Sequence, residues 1–326
     1  MKNLRYSIAA FSLIFFAACT QTQLSNYFTP VVDIPIPDHV TKLVAQAEWT
    51  VGSDSLAVMI SKSRGALDTT FYNNSGRFDT VGNVKVDLLK DGKVVANLPY
   101  FKDGFHYLRG AHRLDTTAGI AYTLRISSPN YPTVETTQIT PKRAKIRSVR
   151  FHKDGATRAD PLDIFNGKPK NKLVDEYIVE FDDVLNDENF YAAYAVVEYV
   201  ALGQTQLFEL GSLDDIAESN MLKDKTFANK TFAWRLWSQK FKDRKGGGGP
   251  GGQGGPNNNL IIGSGDKITF YLRSMTPDQY LFRRSLDLYK QSNNFFSEPV
   301  ILHTNIKNGY GIFTTQALSV AKITVP

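Results

Sequence analysis

The sequence has almost no cysteine. Among its 326 residues only Cys19 carries a thiol. A single cysteine excludes an internal disulfide. If the sulfur of that cysteine is modified, no free thiol remains for chemistry. Stability must therefore come from the burial of apolar residues, which make up 42% of the chain and suffice for a sizeable core at this length.

Long apolar runs are missing after the N-terminus, so no later segment is expected to span a membrane. A strong charge of one sign is missing too. The formal net charge is +6, and it falls to +4 if Lys2 and Arg5 are removed with the N-terminal segment. This balance, without a basic run interleaved with aromatic residues, gives no support for a nucleic-acid partner.

The N-terminus has the pattern of a lipoprotein signal. Lys2 and Arg5 precede an almost wholly apolar run from residue 8 to 18, and Cys19 follows two alanines. We therefore expect residues 1–18 to be a signal peptide and Cys19 to carry the lipid. The alternative is a transmembrane helix, but the run is shorter than the roughly 20 residues that a span needs. Phe16, where leucine is commoner, is a mild departure from the pattern.

The residues after Cys19 bear on location. Thr20 stands where an aspartate commonly marks retention in the inner membrane of Gram-negative bacteria, so by analogy we expect the outer membrane. Which face of that membrane the protein occupies stays open. Residues 19–40 contain three prolines toward their end and are expected to form an extended tether.

Residues 41–141 alternate with a period of two, which predicts an N-terminal Ig-like β-sandwich domain. The residues Lys90, Asp91, Gly92 and Lys93 predict a tight hairpin because Asp-Gly tolerates positive φ. The apolar positions of three strands are Leu56, Val58 and Ile60; Val84, Val86 and Leu88; and Tyr122, Leu124 and Ile126.

Residues 142–326 predict a second β-rich domain. A glycine-rich run at 245–259 should be a flexible loop, and it lacks the Gly-Lys-Ser/Thr ending of a phosphate loop. One amphipathic helix is expected near the C-terminus, with Thr276 as its cap and Pro277 in its first position. Its apolar stripe, formed by Phe282, Leu286 and Tyr289, is expected to lie on a sheet. The fold class is thus mainly β, with two antiparallel sandwich-like domains.

The C-terminal part carries a recognisable motif. FFSEPV at 295–300 is followed by TNIKNGYGIF at 304–313, after the helix TPDQYLFRRSLDLY at 276–289. Together with VKVDLLKDGK at 84–93 and FDDVLNDENFYAAY at 181–194, this resembles the domain-of-unknown-function 4249 lipoproteins of Bacteroidetes. The glycine-rich run is peculiar to this chain. The resemblance implies a cell-envelope lipoprotein whose genes often neighbour TonB-dependent receptors, and it implies no catalytic residues.

The motif has two readings. Glycines on both sides of Tyr310 permit a tight turn or bulge, and asparagines nearby can bond local backbone. The motif is then a corner that locks the last strands. The other reading is a surface that docks a partner. The residues concerned are Asn305, Gly309, Tyr310, Gly311 and Phe313.

Candidates for chemistry are weak. His106 and His112 could meet across a hairpin, but no companion residue has zinc spacing. An acidic loop after a strand could hold Ca²⁺ through oxygen ligands, yet it lacks the spacing of an EF-hand, and a solvated turn is the simpler interpretation. Its carboxylates are Asp182, Asp183, Asp187 and Glu188. We expect neither a cofactor nor a resident metal.

The sequence favours a binding or accessory lipoprotein on the outer membrane, attached through Cys19 and associated with a TonB-dependent transporter in nutrient uptake. The alternatives are an envelope structural or assembly factor, and a hydrolase whose site only the fold assembles. A deep polar pocket would favour the enzyme. A broad aromatic patch with a polar rim would favour a partner. The ligand and the oligomeric state are not readable from the sequence.

Overall fold

A computed structural model describes residues 39–65, 79–159, 171–185, 187–200, 203–214, 217, 220–238, 262–292 and 300–326. The predicted signal peptide, Cys19, most of the tether, the glycine-rich loop and the FFSEP segment lie outside these residues. The described residues from Thr41 to Arg64 and from Asp79 to Pro326 belong to one compact unit.

Three sheets make up this unit. The large sheet has nine strands, and two smaller sheets have four each. In spatial order the large sheet contains β12 (Gln204–Glu209), β11 (Phe190–Tyr199), β16 (Lys267–Met275), β17 (Tyr310–Thr324), β1 (Leu43–Thr50), β2 (Ser55–Lys62), β6 (Phe105–Arg109) and β5 (Tyr100–Lys102), with β14 (Met221–Lys223) also beside β11.

The smaller sheets each back one half of the large sheet. The first consists of β4 (Lys93–Leu98), β3 (Lys85–Lys90), β7 (Ala121–Ser128) and β8 (Tyr131–Ile139). The second consists of β13 (Gly211–Ser212), β15 (Thr231–Ser238), β10 (Asn171–Asp182) and β9 (Lys145–Ala159). The prediction of a mainly β protein with sandwich-like halves is confirmed.

A separate hydrophobic core fills each sandwich. One core contains Trp49 and Phe313 with residues of β2, β3 and β7. The other contains Trp234 and Phe270 with residues of β10 and β11. The predicted alternation is clear in β7, where Tyr122, Leu124 and Ile126 are buried between partly exposed neighbours. In β2 the expected Leu56, Val58 and Ile60 are buried, but so is Met59, and β3 buries four consecutive residues.

The strand β17 connects the two cores. Its fourth residue, Phe313, lies in the first core, whereas Ile323 packs against the second. Its first half pairs with β1 in parallel, and its second half pairs with β16 antiparallel. The other pairs between described strands are antiparallel. The division into domains at 141/142 stays a prediction, and the large sheet runs across it.

Two tight hairpins have the same two central turn residues, Asp followed by Gly. In the predicted β3–β4 hairpin, Lys90 pairs with Lys93, and Asp91 and Gly92 have φ of 51° and 74°. The turn between β5 and β6 repeats this, since Asp103 and Gly104 have φ of 50° and 78°. Positive φ at both central residues is what a type I′ turn requires.

The C-terminal helix α1 (Pro277–Gln291) begins as predicted, with the Thr276 side chain accepting a hydrogen bond from the Gln279 N–H. Its buried face differs from the prediction. Gln279 and Tyr280 are buried, whereas the expected stripe residue Tyr289 is about half exposed. The reason is that the first turn carries the tertiary contacts, with the Tyr280 ring 4.6 Å from the Phe190 ring.

Candidate binding surface

The predicted histidine pair is not assembled. His106 lies in β6, and its Nδ1 is 3.1 Å from the carbonyl oxygen of Leu98. The Nδ1 of His112 is instead 2.6 Å from a carboxylate oxygen of Asp54. Each ring thus contacts a partner of its own. Among the described residues no group of three or more His, Cys, Asp or Glu is arranged to hold a metal ion.

The acidic loop after β10 is used for internal contacts. Asp183 is buried and accepts hydrogen bonds from the Tyr191 hydroxyl and the Asn229 N–H, both at 2.7 Å. Burial and this bond to Asp183 raise the pKa of Tyr191. The three other carboxylates pair with basic side chains: Asp182 with Arg147, Asp187 with Lys142, and Glu188 with Lys223.

The C-terminal motif joins the last strand to its neighbours. Asn305 donates from Nδ2 to the carbonyl oxygen of Phe313 at 2.7 Å and accepts the Phe313 N–H at 3.1 Å. Gly311 has φ of 103°, and a Cβ there would lie 2.0 Å from the carbonyl oxygen of Ala45. At Gly309 a Cβ would lie 2.7 Å from the carbonyl oxygen of Leu43. These glycines allow β17 to approach β1.

Tyr310 differs from the other motif residues because its side chain is 41% exposed. The Lys42 ammonium lies over its ring, 5.2 Å from the centroid. Phe313, by contrast, is fully buried in the first core. The motif therefore contains four residues that hold the last strands together and one aromatic side chain that faces outward.

A polar node at the start of α1 links three parts of the chain. Asp278 accepts from the side-chain amides of Gln138 in β8, at 2.6 Å, and Asn305, at 3.2 Å. Its other carboxylate oxygen is 2.7 Å from Nε2 of His303. Burial opposes ionisation of Asp278, but the hydrogen bonds from His303, Gln138 and Asn305 outweigh it and lower its pKa. The node is a structural junction.

The outer face of the large sheet, opposite the cores, carries a cluster that the sequence did not single out. We call it the arginine–tyrosine surface and define it by Glu48, Tyr194, Tyr271, Arg273 and Arg283. Tyr194 in β11 is directly opposite Tyr271 in β16, and their rings stack with centroids 4.6 Å apart. The Arg273 guanidinium lies 5.2 Å from the Tyr194 ring centroid.

Arg273 is mostly buried, with 13% of its side chain exposed, and its ion pairing is weak. Glu48 is its ion-pair partner at 3.9 Å, and the same carboxylate pairs more closely with Arg283 at 3.1 Å. The Nε of Arg273 is buried without a hydrogen-bond partner. Burial and the nearby charge of Arg283 lower the pKa of the Arg273 guanidinium. The Nε is closed to solvent, so an outside acceptor would reach Arg273 through its terminal nitrogens, one of which lies at a long 3.9 Å from Glu48.

Exposed aliphatic side chains adjoin this cluster. Val320 in β17 is opposite Tyr271, and Leu207 lies on the neighbouring β12; both are more than half exposed. Tyrosine and arginine are the residues most enriched in the energetic centres of protein interfaces. Sequence reasoning missed the cluster because strand alternation assigns Tyr271 and Arg273 to the solvent side, where such residues are ordinary.

A cavity of about 530 Å³ lies on the second small sheet. It is lined by Asp154, Gly155, Ala156, Thr157, Leu173, Leu213 and Arg235. The charge of Arg235 is already engaged, since its guanidinium contacts buried Glu176 through two nitrogens at 2.7 and 2.6 Å. His152 lies 3.3 Å from the same carboxylate. The cavity therefore has polar residues in its lining, but these residues do not form a recognisable pair of nucleophile and general base.

Comparison with known proteins gives a family and little more. The family model "Domain of unknown function (DUF4249)" matches residues 29–320. No curated protein matches the chain. Among solved structures, one described as "Putative membrane anchored protein from Corynebacterium diphtheriae" is 11% identical, with a TM-score of 0.20. That alignment covers 73% of this chain and 55% of the other, so the chain spans about half the length of that protein. A TM-score this low carries no argument.

The arrangement can do one thing well. It presents aromatic and aliphatic side chains around a guanidinium whose ion pair with Glu48 is long, on a sheet fixed by hydrogen bonds on both sides. No helix in the part of the chain that the structure describes is both long and apolar enough to cross a membrane.

Proposed function

The chain belongs to the family described as domain of unknown function DUF4249, and on that premise we propose that it is a lipid-anchored binding or accessory lipoprotein of the outer membrane. The lipid is placed on Cys19, where the signal sequence requires it. The partner is proposed to be a TonB-dependent transporter, with the lipoprotein acting in nutrient capture or gating.

One observation supports the binding role, namely a mostly buried Arg273 whose ion pair with Glu48 is long, at 3.9 Å, beside exposed Val320 and Leu207. A carboxylate from a partner could accept bonds from this guanidinium while apolar side chains cover the two aliphatic residues. The charges of Arg273, Arg283, Glu48 and the nearby Glu209 cancel formally. Recognition therefore depends on the geometry of the Arg273 donors more than on net charge, and the expected occupant is a segment of the transporter that carries one carboxylate opposite Arg273.

The test is co-purification in mild detergent through a C-terminal tag, with mass spectrometry of the recovered proteins. We expect one β-barrel receptor in near-equal amount. Arg283→Glu should reduce that recovery at least about tenfold, because it places like charge against Glu48 and disturbs Arg273. Lys290→Glu, on the last turn of the same helix, is the matched control and should leave recovery unchanged.

Three outcomes decide the matter. Loss of the receptor with Arg283→Glu alone supports both the role and the surface. Equal recovery with both variants supports the role but moves the contact elsewhere. Absence of any receptor above background would contradict the proposal of a stable complex with a transporter. Substrate screens of the protein would then test the hydrolase alternative.

A further inference from the structure

The aromatic hairpin β5–β6 lies at one end of the large sheet, which we call the N-terminal end because β1 begins there. Leu43, the first residue of β1, pairs with Lys62, the last residue of β2. Phe105, the first residue of β6, pairs with Met59, only three residues before that end of β2. The hairpin turn therefore lies beside the start of β1, separated by about three strand spacings, or roughly 14 Å.

The hairpin exposes aromatic side chains on both of its faces. Tyr100, Phe101 and Phe105 are 52%, 58% and 39% exposed. Phe101 contacts Tyr107 on the outer face, while Tyr100 contacts His106, whose side chain points into the core. Three exposed aromatic residues around a two-residue turn form a narrow wedge rather than a flat patch.

The hairpin is held rigidly. The carbonyl oxygen of Gly104 accepts the Ile60 N–H at 2.8 Å, which ties the turn to β2. A Cβ at Gly104 would lie 2.6 Å from both the Ile60 carbonyl oxygen and the Thr80 side chain. The backbone of the turn that carries the aromatic residues is therefore fixed against β2.

Basic side chains surround this end of the sheet. The Lys102 ammonium lies 5.5 Å from the Phe101 ring centroid, and Lys42 lies over exposed Tyr310. Lys62 and Arg64 both pair with Asp79. With Asp103 in the turn, these groups comprise four cations and two anions. A positive, aromatic edge suits a membrane interface, where tyrosine and phenylalanine insert and lysine and arginine meet anionic headgroups.

We propose that the β5–β6 hairpin, together with Tyr310 and Lys42 at the same end of the sheet, docks onto the lipid surface to which Cys19 anchors the chain. This inference rests on the proposed anchor. The 24 Cα–Cα steps from Cys19 to Leu43 can span at most about 85 Å, so a tether alone leaves the orientation of the sheet undefined. Docking at the N-terminal end would orient the sheet upright, with the arginine–tyrosine surface facing sideways toward a membrane protein.

A lipid surface fits this edge better than a protein partner does. A specific protein interface buries about 800 Å² on each side and needs a broad, complementary patch. The wedge offers three aromatic side chains around a turn, which is too little area for that. Shallow insertion between headgroups needs only a few aromatic side chains, since the lipid anchor already holds the protein at the membrane.

The experiment uses the mature lipidated protein in vesicles of phosphatidylethanolamine and phosphatidylglycerol with brominated acyl chains. Phe101→Trp places a fluorescent reporter on the hairpin. Val320→Trp is the matched control, because it is similarly exposed on the same sheet but lies ten residues further along β17 from Tyr310, about 33 Å away. Of the three native tryptophans, Trp49 and Trp234 are buried and Trp237 is partly buried, and the signal of the unmodified protein is subtracted.

We expect the tryptophan at 101 to be quenched at least threefold more than the tryptophan at 320, with a blue shift on vesicle binding. Adding Tyr100→Ser and Phe105→Ser should remove most of that quenching. Equal quenching at both positions, or none at 101, overturns the proposal, and the second result would favour a protein partner for the hairpin. Intact mass of the purified protein tests the lipid on Cys19 separately, so failure of the anchor and failure of the docking are distinguishable.

Discussion

The side-chain amide of Asn305 bonds to both backbone groups of Phe313, in the way that the backbone of a neighbouring strand would. Asn305 donates to the Phe313 carbonyl oxygen at 2.7 Å and accepts the Phe313 N–H at 3.1 Å. The side chain of Phe313 fills the first core. The short loop before β17 is thus fastened to the strand at the point where the strand enters its core.

Replacing Asn305 tests this fastening. Asn305→Ala removes both bonds, together with the longer bond to Asp278, and leaves the N–H and carbonyl of Phe313 without this partner, so we expect a loss of about 2–3 kcal/mol in the free energy of unfolding. Urea denaturation at neutral pH measures it. The exposed turn residue Asn130 supplies the control, since Asn130→Ala should cost less than about 0.5 kcal/mol. Equal small losses for both variants would contradict the structural role.

Gly311 tests the parallel pairing of β17 with β1. Gly311→Ala adds a Cβ that would lie 2.0 Å from the Ala45 carbonyl oxygen, in addition to the strain of a φ of 103°. Gly119 also has a positive φ, 87°, but a Cβ there meets nothing within 4 Å. We expect Gly311→Ala to be at least about 2 kcal/mol more destabilising than Gly119→Ala, by thermal or denaturant unfolding. A similar cost for both would mean that the strands adjust freely.

Asn305 and Gly311 also show how much of the fold can be predicted from the sequence. It predicts the corner at 305–313, because asparagine and glycine have known local roles. It predicts the β3–β4 hairpin, because Asp-Gly permits positive φ at both central positions. It does not predict that β17 pairs with β1, since contact between strands some 260 positions apart leaves no local pattern.

The arginine–tyrosine surface could not be predicted from the sequence, for a related physical reason. Tyr194 and Arg283 come from distant elements that meet only on the folded sheet. The burial of Arg273 depends on that assembly, since alternation alone assigns it to solvent. The helix stripe was mispredicted for the same reason, because tertiary contacts of the first turn outweigh the apolar period of the whole helix.

Acid should weaken the junction at Asp278. Hydrogen bonds lower the pKa of this carboxyl in the folded protein, so its contribution to stability is present above the unfolded value near 4 and is lost as the pH falls through the folded value. Asp278→Asn should therefore be less stable than the unmodified protein at pH 7. The difference should shrink as the pH is lowered below about 4. Denaturation series at several pH values check this, and a difference independent of pH would exclude Asp278 as the titrating group.

A substitution at Arg273 distinguishes an effect on folding stability from an effect on partner binding. Replacing a buried, poorly paired cation with an apolar side chain of similar length often leaves stability unchanged or raises it by about 1–4 kcal/mol. Arg273→Met should therefore fold at least as well as the unmodified protein, while its recovery of the proposed receptor falls at least about tenfold. Denaturation and quantitative co-purification of the same preparation measure both effects. A strongly destabilised variant would show that Glu48 and Tyr194 satisfy Arg273 well enough for a structural role. Unchanged stability together with unchanged recovery would move the contact away from this surface.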